Sequence, residues 1–306
     1  MIAHLPLHGL VAAPHAPFHK DGSLHLSVVE KQAAHLLSNG VRCVFVNGST
    51  GESSSLTVQE RVDLAERWKD VVQGTDLRLI LHVGANAIED SRALAAHGQK
   101  IGASALSALS PSYFKPRSLD LLVECCGHIA AAAPETPFYY YDIPVLTGVQ
   151  FSPAAFLERA AERIPNLVGI KYTNPDMMAY QFALRAGAGR WDLPWGGDET
   201  LIAALAMGAR GAIGSGYNFA APIYLRLLEA FSRGDWERAR EEQFRGVRLV
   251  ELLAGYGYMG AAKTVMGFLG VDVGPARLPN ANLSREQTTA LREALERMEF
   301  FKWVGA

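Results

Sequence analysis

The chain has 306 residues, of which 49% are hydrophobic and 20% charged, with a formal charge of −2 and three cysteines. This is an ordinary globular composition with material for a large core, and it offers no electrostatic case for nucleic acid or an anionic membrane. No apolar run reaches the length of a bilayer span, the longest being cut by Arg210, or by Glu124 and His128. The N-terminus lacks a basic region followed by an apolar one, so no secretion signal is expected. Cys125 and Cys126 are adjacent and the cysteines show no metal-ligand spacing, which reads as reduced thiols in a cytoplasmic protein.

A short apolar run at 10–13, punctuated by Pro14 and Pro17, reads as a first strand. Helical spacing over 26–37 stops at Asn39-Gly40, a pair that terminates helices. A strand at 41–46 leads into Asn47-Gly48-Ser49-Thr50-Gly51-Glu52, and a helix over 57–72 follows, with Glu60 three residues after Thr57 in a capping-box arrangement. Strand 77–83, helix 88–101, strand 103–109 and helix 119–132 come next. Strand 138–141 leads to Asp142-Ile143-Pro144 and then a helix at 153–163. The uncharged run 167–170 enters Lys171, and Asn174-Pro175 breaks the strand beyond it. A helix at 177–186 and a short strand at 193–195 precede Gly196-Gly197-Asp198-Glu199. A helix at 200–207 and a last strand at 209–213 end in Gly214-Ser215-Gly216.

Eight strands, each followed by a helix or helix-like segment, predict an α/β fold: a (β/α)8 TIM barrel over 1–219. Helices at 220–233, 235–254, 260–269 and 284–299 form a C-terminal helical extension over 220–306.

In such an architecture chemistry gathers where strands end, and Lys171 ends one. An ordinary lysine, with a pKa near 10.4, is only about 0.04% neutral at pH 7. Burial disfavours the ammonium and raises the neutral fraction, which makes attack on a ketone feasible. The other post-strand groups are Ser49, Thr50, Tyr113, Tyr141, Thr173, Asp198, Glu199 and Ser215. Together they suit a Schiff-base site: a lysine nucleophile, a tyrosine to move protons, and hydroxyls and backbone amides for a carboxylate. Gly48-Ser49-Thr50-Gly51 can turn tightly and present N–H groups, and it lacks the lysine that a phosphate loop requires. His15 and His82 pair with nothing in a recognisable spacing and read as structural.

Several stretches carry a family resemblance. They are Phe45-Val46-Asn47-Gly48-Ser49-Thr50-Gly51-Glu52, Tyr139-Tyr140-Tyr141-Asp142-Ile143-Pro144-Val145-Leu146-Thr147-Gly148-Val149, Gly169-Ile170-Lys171, Gly197-Asp198-Glu199, Gly214-Ser215-Gly216-Tyr217-Asn218 and Gly274-Pro275-Ala276-Arg277-Leu278-Pro279. In this order and spacing the chain resembles the pyruvate-dependent class I aldolases, the family of N-acetylneuraminate lyases and dihydrodipicolinate synthases. The resemblance implies that Lys171 forms an imine with a keto acid and that Tyr141 is the acid/base. It places Ser49 and Thr50 on the carboxylate, and Thr173, Gly196, Asp198, Glu199 and Ser215 on the hydroxyl-rich tail of a sugar acid. Tyr113 matches a position near the site where an aromatic of a neighbouring subunit often enters. The imine is itself the electron sink, so neither a metal nor an organic cofactor is expected, and the resemblance implies a homotetramer.

Synthases of the family carry an arginine five residues after the tyrosine, where it takes a second carboxylate. Here that position is Leu146, which lacks the bidentate donor and favours the lyase branch. The expected reaction is cleavage of N-acetylneuraminate to N-acetylmannosamine and pyruvate, or the same imine chemistry on another 2-keto-3-deoxy sugar acid. Ala16, Asp142, Gly197 and Gly216 depart from the family pattern. The two glycines widen the sugar end of the pocket.

Overall fold

The computed structural model describes residues 2–306. In chain order the elements are β1 (Gly9–Ala12), α1 (Val29–Ser38), β2 (Cys43–Val46), α2 (Val58–Val72), β3 (Arg78–His82), α3 (Ile88–Lys100), β4 (Ala105–Leu109) and α4 (Leu119–Ala131). They continue with β5 (Phe138–Asp142), α5 (Pro144–Thr147), α6 (Pro153–Ala160), β6 (Leu167–Tyr172), α7 (Met177–Arg185), α8 (Leu201–Met207) and β7 (Gly211–Gly214). Five further helices follow: α9 (Ala221–Ser232), α10 (Trp236–Gly255), α11 (Tyr258–Phe268), α12 (Arg285–Arg297) and α13 (Phe300–Val304).

The seven strands hydrogen-bond in the order β6-β5-β4-β3-β2-β1-β7, and the described pairings are parallel. Helices between successive strands are what parallel pairing requires, since a parallel return needs a crossover. Strands covered on both faces read as continuous apolar runs. β2, β5 and β6 are accordingly buried at every position.

The strand expected at 193–195 is a correction to the sequence reading. The segment makes isolated parallel bridges instead, Trp195 to Tyr172 of β6 and Trp195 to Ala212 of β7. Pro194 sits in its middle without an N–H, so it accepts from Tyr172 through its carbonyl but donates nothing to a ladder. The short α5 was not anticipated, because four residues show no periodicity. The capping box is present: Thr57 accepts from the Glu60 backbone and Glu60 reaches back to Thr57 N–H.

Packing divides the chain into two compact units. The first combines Arg78–Gly197 with the segment ending at Gly9 and Ala203–Ile213. It holds β3 to β6, whose buried faces carry Leu79, Ile80, Leu106, Phe138, Val168 and Ile170. The second combines Leu10–Leu77, Asp198–Ile202 and Gly214–Ala306, so the last five helices cluster with the first strands. Trp68, Phe18, Phe45, Tyr217, Tyr224 and Phe300 are among its large buried side chains. No helix among the described residues is long and apolar enough to cross a membrane.

Candidate active site

In the first unit β5 and β6 run side by side, with Tyr141 opposite Lys171 and Asp142 opposite Tyr172. Both Lys171 and Tyr141 are buried, 4% and 3% exposed, and the Lys171 Nζ lies 3.9 Å from the centre of the Tyr141 ring. An amine and a phenol are thereby held together in dry surroundings, with the phenol ring facing the amine. His82, at the end of β3, meets the Tyr141 ring edge-on, centroids 5.8 Å apart.

Asp142 follows on β5. Its carbonyl accepts from Thr173 N–H at 2.8 Å and its carboxylate from Asn174 Nδ2 at 3.0 Å. Burial pushes its carboxyl up to about 6, against a pull downward from Asn174. Gly196 donates its N–H to Tyr172 at 2.7 Å, and a Cβ on Gly196 would fall 1.8 Å from Thr173 Oγ1. Only glycine fits there, and the buried Thr173 hydroxyl has no protein partner. Tyr113 is 79% exposed. Its ring packs edge-on against Phe114 and its backbone N–H is held by Asn86 Oδ1.

The second unit carries the other expected residues in two groups. The loop after β2 is a tight turn: Glu52 N–H donates to the Ser49 carbonyl at 3.0 Å and Ser53 N–H to that of Gly48. Asn47 and Glu52 bracket it with positive φ of 60° and 53°, a conformation that non-glycine residues rarely adopt. Ser49 and Thr50 are half-buried between them, while Gly51 and Glu52 are buried.

The other group centres on Asp198, which opens a 3-10 turn over Asp198–Thr200. Its Oδ2 accepts from Gly216 N–H at 2.7 Å, and a Cβ on Gly214 would fall 1.6 Å from Oδ1. Gln243 of α10 donates to its carbonyl at 3.0 Å. Burial first, and Asp198's charge next, raise the phenols of Tyr217, Tyr224 and Tyr258. Ser215 Oγ lies 2.7 Å from the Tyr258 hydroxyl. Glu199 is exposed. Among the described residues no group of three or more His, Cys, Asp or Glu is placed to hold a metal ion.

Sequence reasoning passed over Tyr258 and Lys263. Lys263 has a legible signal, a lone cation in the apolar run Ala261-Ala262-Lys263-Thr264-Val265-Met266. Tyr258 has none, since nothing in its neighbourhood separates it from a packing tyrosine.

A parallel α/β sheet that holds a buried lysine beside a tyrosine on neighbouring strands offers the groups that imine chemistry needs. The chain belongs to the dihydrodipicolinate synthetase family, whose model matches residues 6–298. The N-acetylneuraminate lyase of Pongo abelii is 37% identical over 97% of this chain and 94% of its own length. The N-acetylneuraminate lyase structure from Proteus mirabilis superposes with a TM-score of 0.94 at 40% identity, covering 97% of this chain and all of that one. The lyase from Aliivibrio salmonicida gives 0.94 and 40%, covering 97% and 98%.

Proposed function

We propose that this chain is a class I aldolase that cleaves N-acetylneuraminate reversibly to N-acetylmannosamine and pyruvate. The observation that carries the reading is the buried Lys171 amine 3.9 Å from the Tyr141 ring, in a family member similar to N-acetylneuraminate lyases over nearly its whole length.

Lys171 attacks the keto carbon and water leaves, giving an imine. Tyr141 takes the proton of the hydroxyl that becomes the aldehyde, and the electron pair of the breaking carbon–carbon bond moves into the protonated imine. The resulting enamine is protonated, and hydrolysis frees pyruvate and the lysine. Ser49 and Thr50 hold the carboxylate. Thr173, Gly196, Asp198, Glu199 and Ser215 take the hydroxylated tail. Thr50 and Tyr113 also belong to the catalytic group, Tyr113 by entering a neighbouring subunit's site in a homotetramer. Its exposure suits that role. We assign the enzyme to the cytoplasm and require no cofactor.

The fold reading that goes with this function is a closed (β/α)8 barrel over 1–219 with helices over 220–306 as an extension. Support comes from the isolated parallel bridges of Trp195 to Tyr172 of β6 and to Ala212 of β7. The synthase alternative is disfavoured by Leu146, an exposed apolar residue of α5 with no guanidinium to offer.

Borohydride reduction in the presence of pyruvate, followed by peptide mass mapping, tests the proposal. A pyruvate-derived adduct on Lys171 is expected. Folded protein that gives no adduct at high pyruvate would remove the imine mechanism. Aldehyde profiling then identifies the partner, and preference for a short unacylated aldehyde would redirect the substrate to another 2-keto-3-deoxy sugar acid.

A further inference from the structure

Beneath the loop at 47–52 lies a buried ion pair that the mechanism does not use. Lys263 of α11 and Glu52 are 1% and 0% exposed at their side chains, with Nζ 2.8 Å from Oε1. All three ammonium hydrogens are used, on Glu52, on the Ala16 carbonyl at 2.9 Å and on the Pro275 carbonyl at 2.7 Å. The Glu52 carboxylate also accepts from Arg277 N–H at 2.8 Å and from Asn280 Nδ2 at 3.3 Å. The Phe18 ring carries both Lys263 and Arg277 at 4.3 Å.

Glu52 is also the residue at which the loop backbone turns left-handed, with φ of 53°. A non-glycine residue stays in that region only when its surroundings over-determine it, and the Glu52 side chain, held by Lys263, Arg277 and Asn280, supplies that restraint. Its N–H closes the turn on Ser49, so the restraint reaches the two residues assigned to the carboxylate. The pair has an electrostatic consequence as well. An unpaired Glu52 would place a negative charge under a loop meant to receive another, and Lys263 cancels it. His15, buried nearby, is pushed down to about 3 by burial first and Lys263 second, so it adds no charge at neutral pH.

We propose that Lys263 and Glu52 form a strut that shapes the loop of Ser49 and Thr50 for a keto-acid carboxylate. Lys263 is thus a positioning residue for keto-acid binding. This rests on the imine reading above and adds the residues that set carboxylate affinity.

The test compares borohydride trapping on Lys171 with pyruvate and with acetone, a ketone that has no carboxylate, in the parent, in Lys263→Met and in the double variant Glu52→Gln/Lys263→Met. Circular dichroism and melting curves establish which variants fold. The single variant leaves a buried carboxylate unpaired, whereas the double variant buries no charge, and the outcome rests on the double if the single does not fold. In a folded variant the pyruvate concentration for half-maximal adduct is expected to rise by about tenfold or more. Acetone trapping is expected to stay within about twofold of the parent, because the amine itself is untouched. The increase should be smaller in the double variant, where no repelling charge remains. Unchanged half-saturation with pyruvate, or equal loss with both ketones, overturns the proposal. No Lys171 adduct in the parent overturns the imine reading and this proposal with it, a result distinct from either of those.

Discussion

Lys171 and Tyr141 are partners in strand register, opposite each other on β6 and β5, with the amine 3.9 Å from the ring centre. The pairing shifts at Phe138/Tyr139, upstream of both residues. A one-residue slip would turn either side chain to the opposite face, so the proximity depends on that register. Lys171→Ala is expected to abolish both turnover and pyruvate trapping while melting as a folded protein. Tyr141→Phe should lower kcat by about 10²- to 10⁴-fold, the range for a lost acid/base, while still forming the reduced adduct at saturating pyruvate. Appreciable turnover by the alanine variant would rule out the imine route.

Asp142 gives the fold a pH dependence. Its carboxyl is raised from 3.8 to about 6 in the folded protein, chiefly by burial. Between those values the folded state holds a proton that the unfolded chain has released, so stability falls as pH rises from about 4 to about 6 and levels off above. Two units correspond to at most roughly 3 kcal/mol. Asp142→Asn keeps an acceptor for Asn174 and removes the charge. Thermal melts at pH 4.5 and 7 should show the variant gaining stability over the parent mainly at pH 7. A variant less stable than the parent at pH 7 would show that the charge is compensated.

Gly196 and Thr173 fit each other without room for a methyl group, since a Cβ would sit 1.8 Å from Thr173 Oγ1. Gly196→Ala must displace that hydroxyl or the segment carrying Gly196. KM for the sugar acid should rise on the order of tenfold, about the cost of one lost buried hydrogen bond, with pyruvate trapping little changed. Steady-state kinetics beside the trapping assay separate the two effects, and an equal loss in both would assign the strain to the whole site.

Leu146 is 60% exposed on α5, and on the proposed function it is expected to bear on the choice of aldehyde. Leu146→Arg adds a planar fork of donors suited to a carboxylate. In the condensation direction the variant should gain activity with carboxylate-bearing aldehydes relative to N-acetylmannosamine. An unaltered aldehyde preference would separate this position from selectivity.

Most of the strand order was legible because parallel strands buried on both faces leave unbroken apolar runs, as at 167–170 and 138–141. Lys171 and Tyr141 were legible for a related reason, a polar group ending such a run. Asp198 lies against Gly214 and Gly216, whose absent side chains leave room for its carboxylate, and that need for space is invisible until the fold shows it. The segment at 193–195 read as a strand by its apolar residues, but Pro194 withholds a donor and only bridges form. Lys263 was missed because its meaning lies in a partner 211 residues away. Neighbouring sequence reports a lone cation in a greasy helix, not what it holds.

The second compact unit has a consequence for the order in which the protein is made. Its first strands leave the ribosome early, yet their unit also needs residues 214–306. Glu52 waits 211 residues for Lys263, roughly 10–40 s at ordinary translation speeds. The first unit has all its residues by Ile213. A chain stalled shortly beyond that point contains Lys171 and Tyr141 together with a Ser49–Thr50 loop that still lacks its partners. In such a chain the turn at Glu52 would still await Lys263, which arrives only with α11.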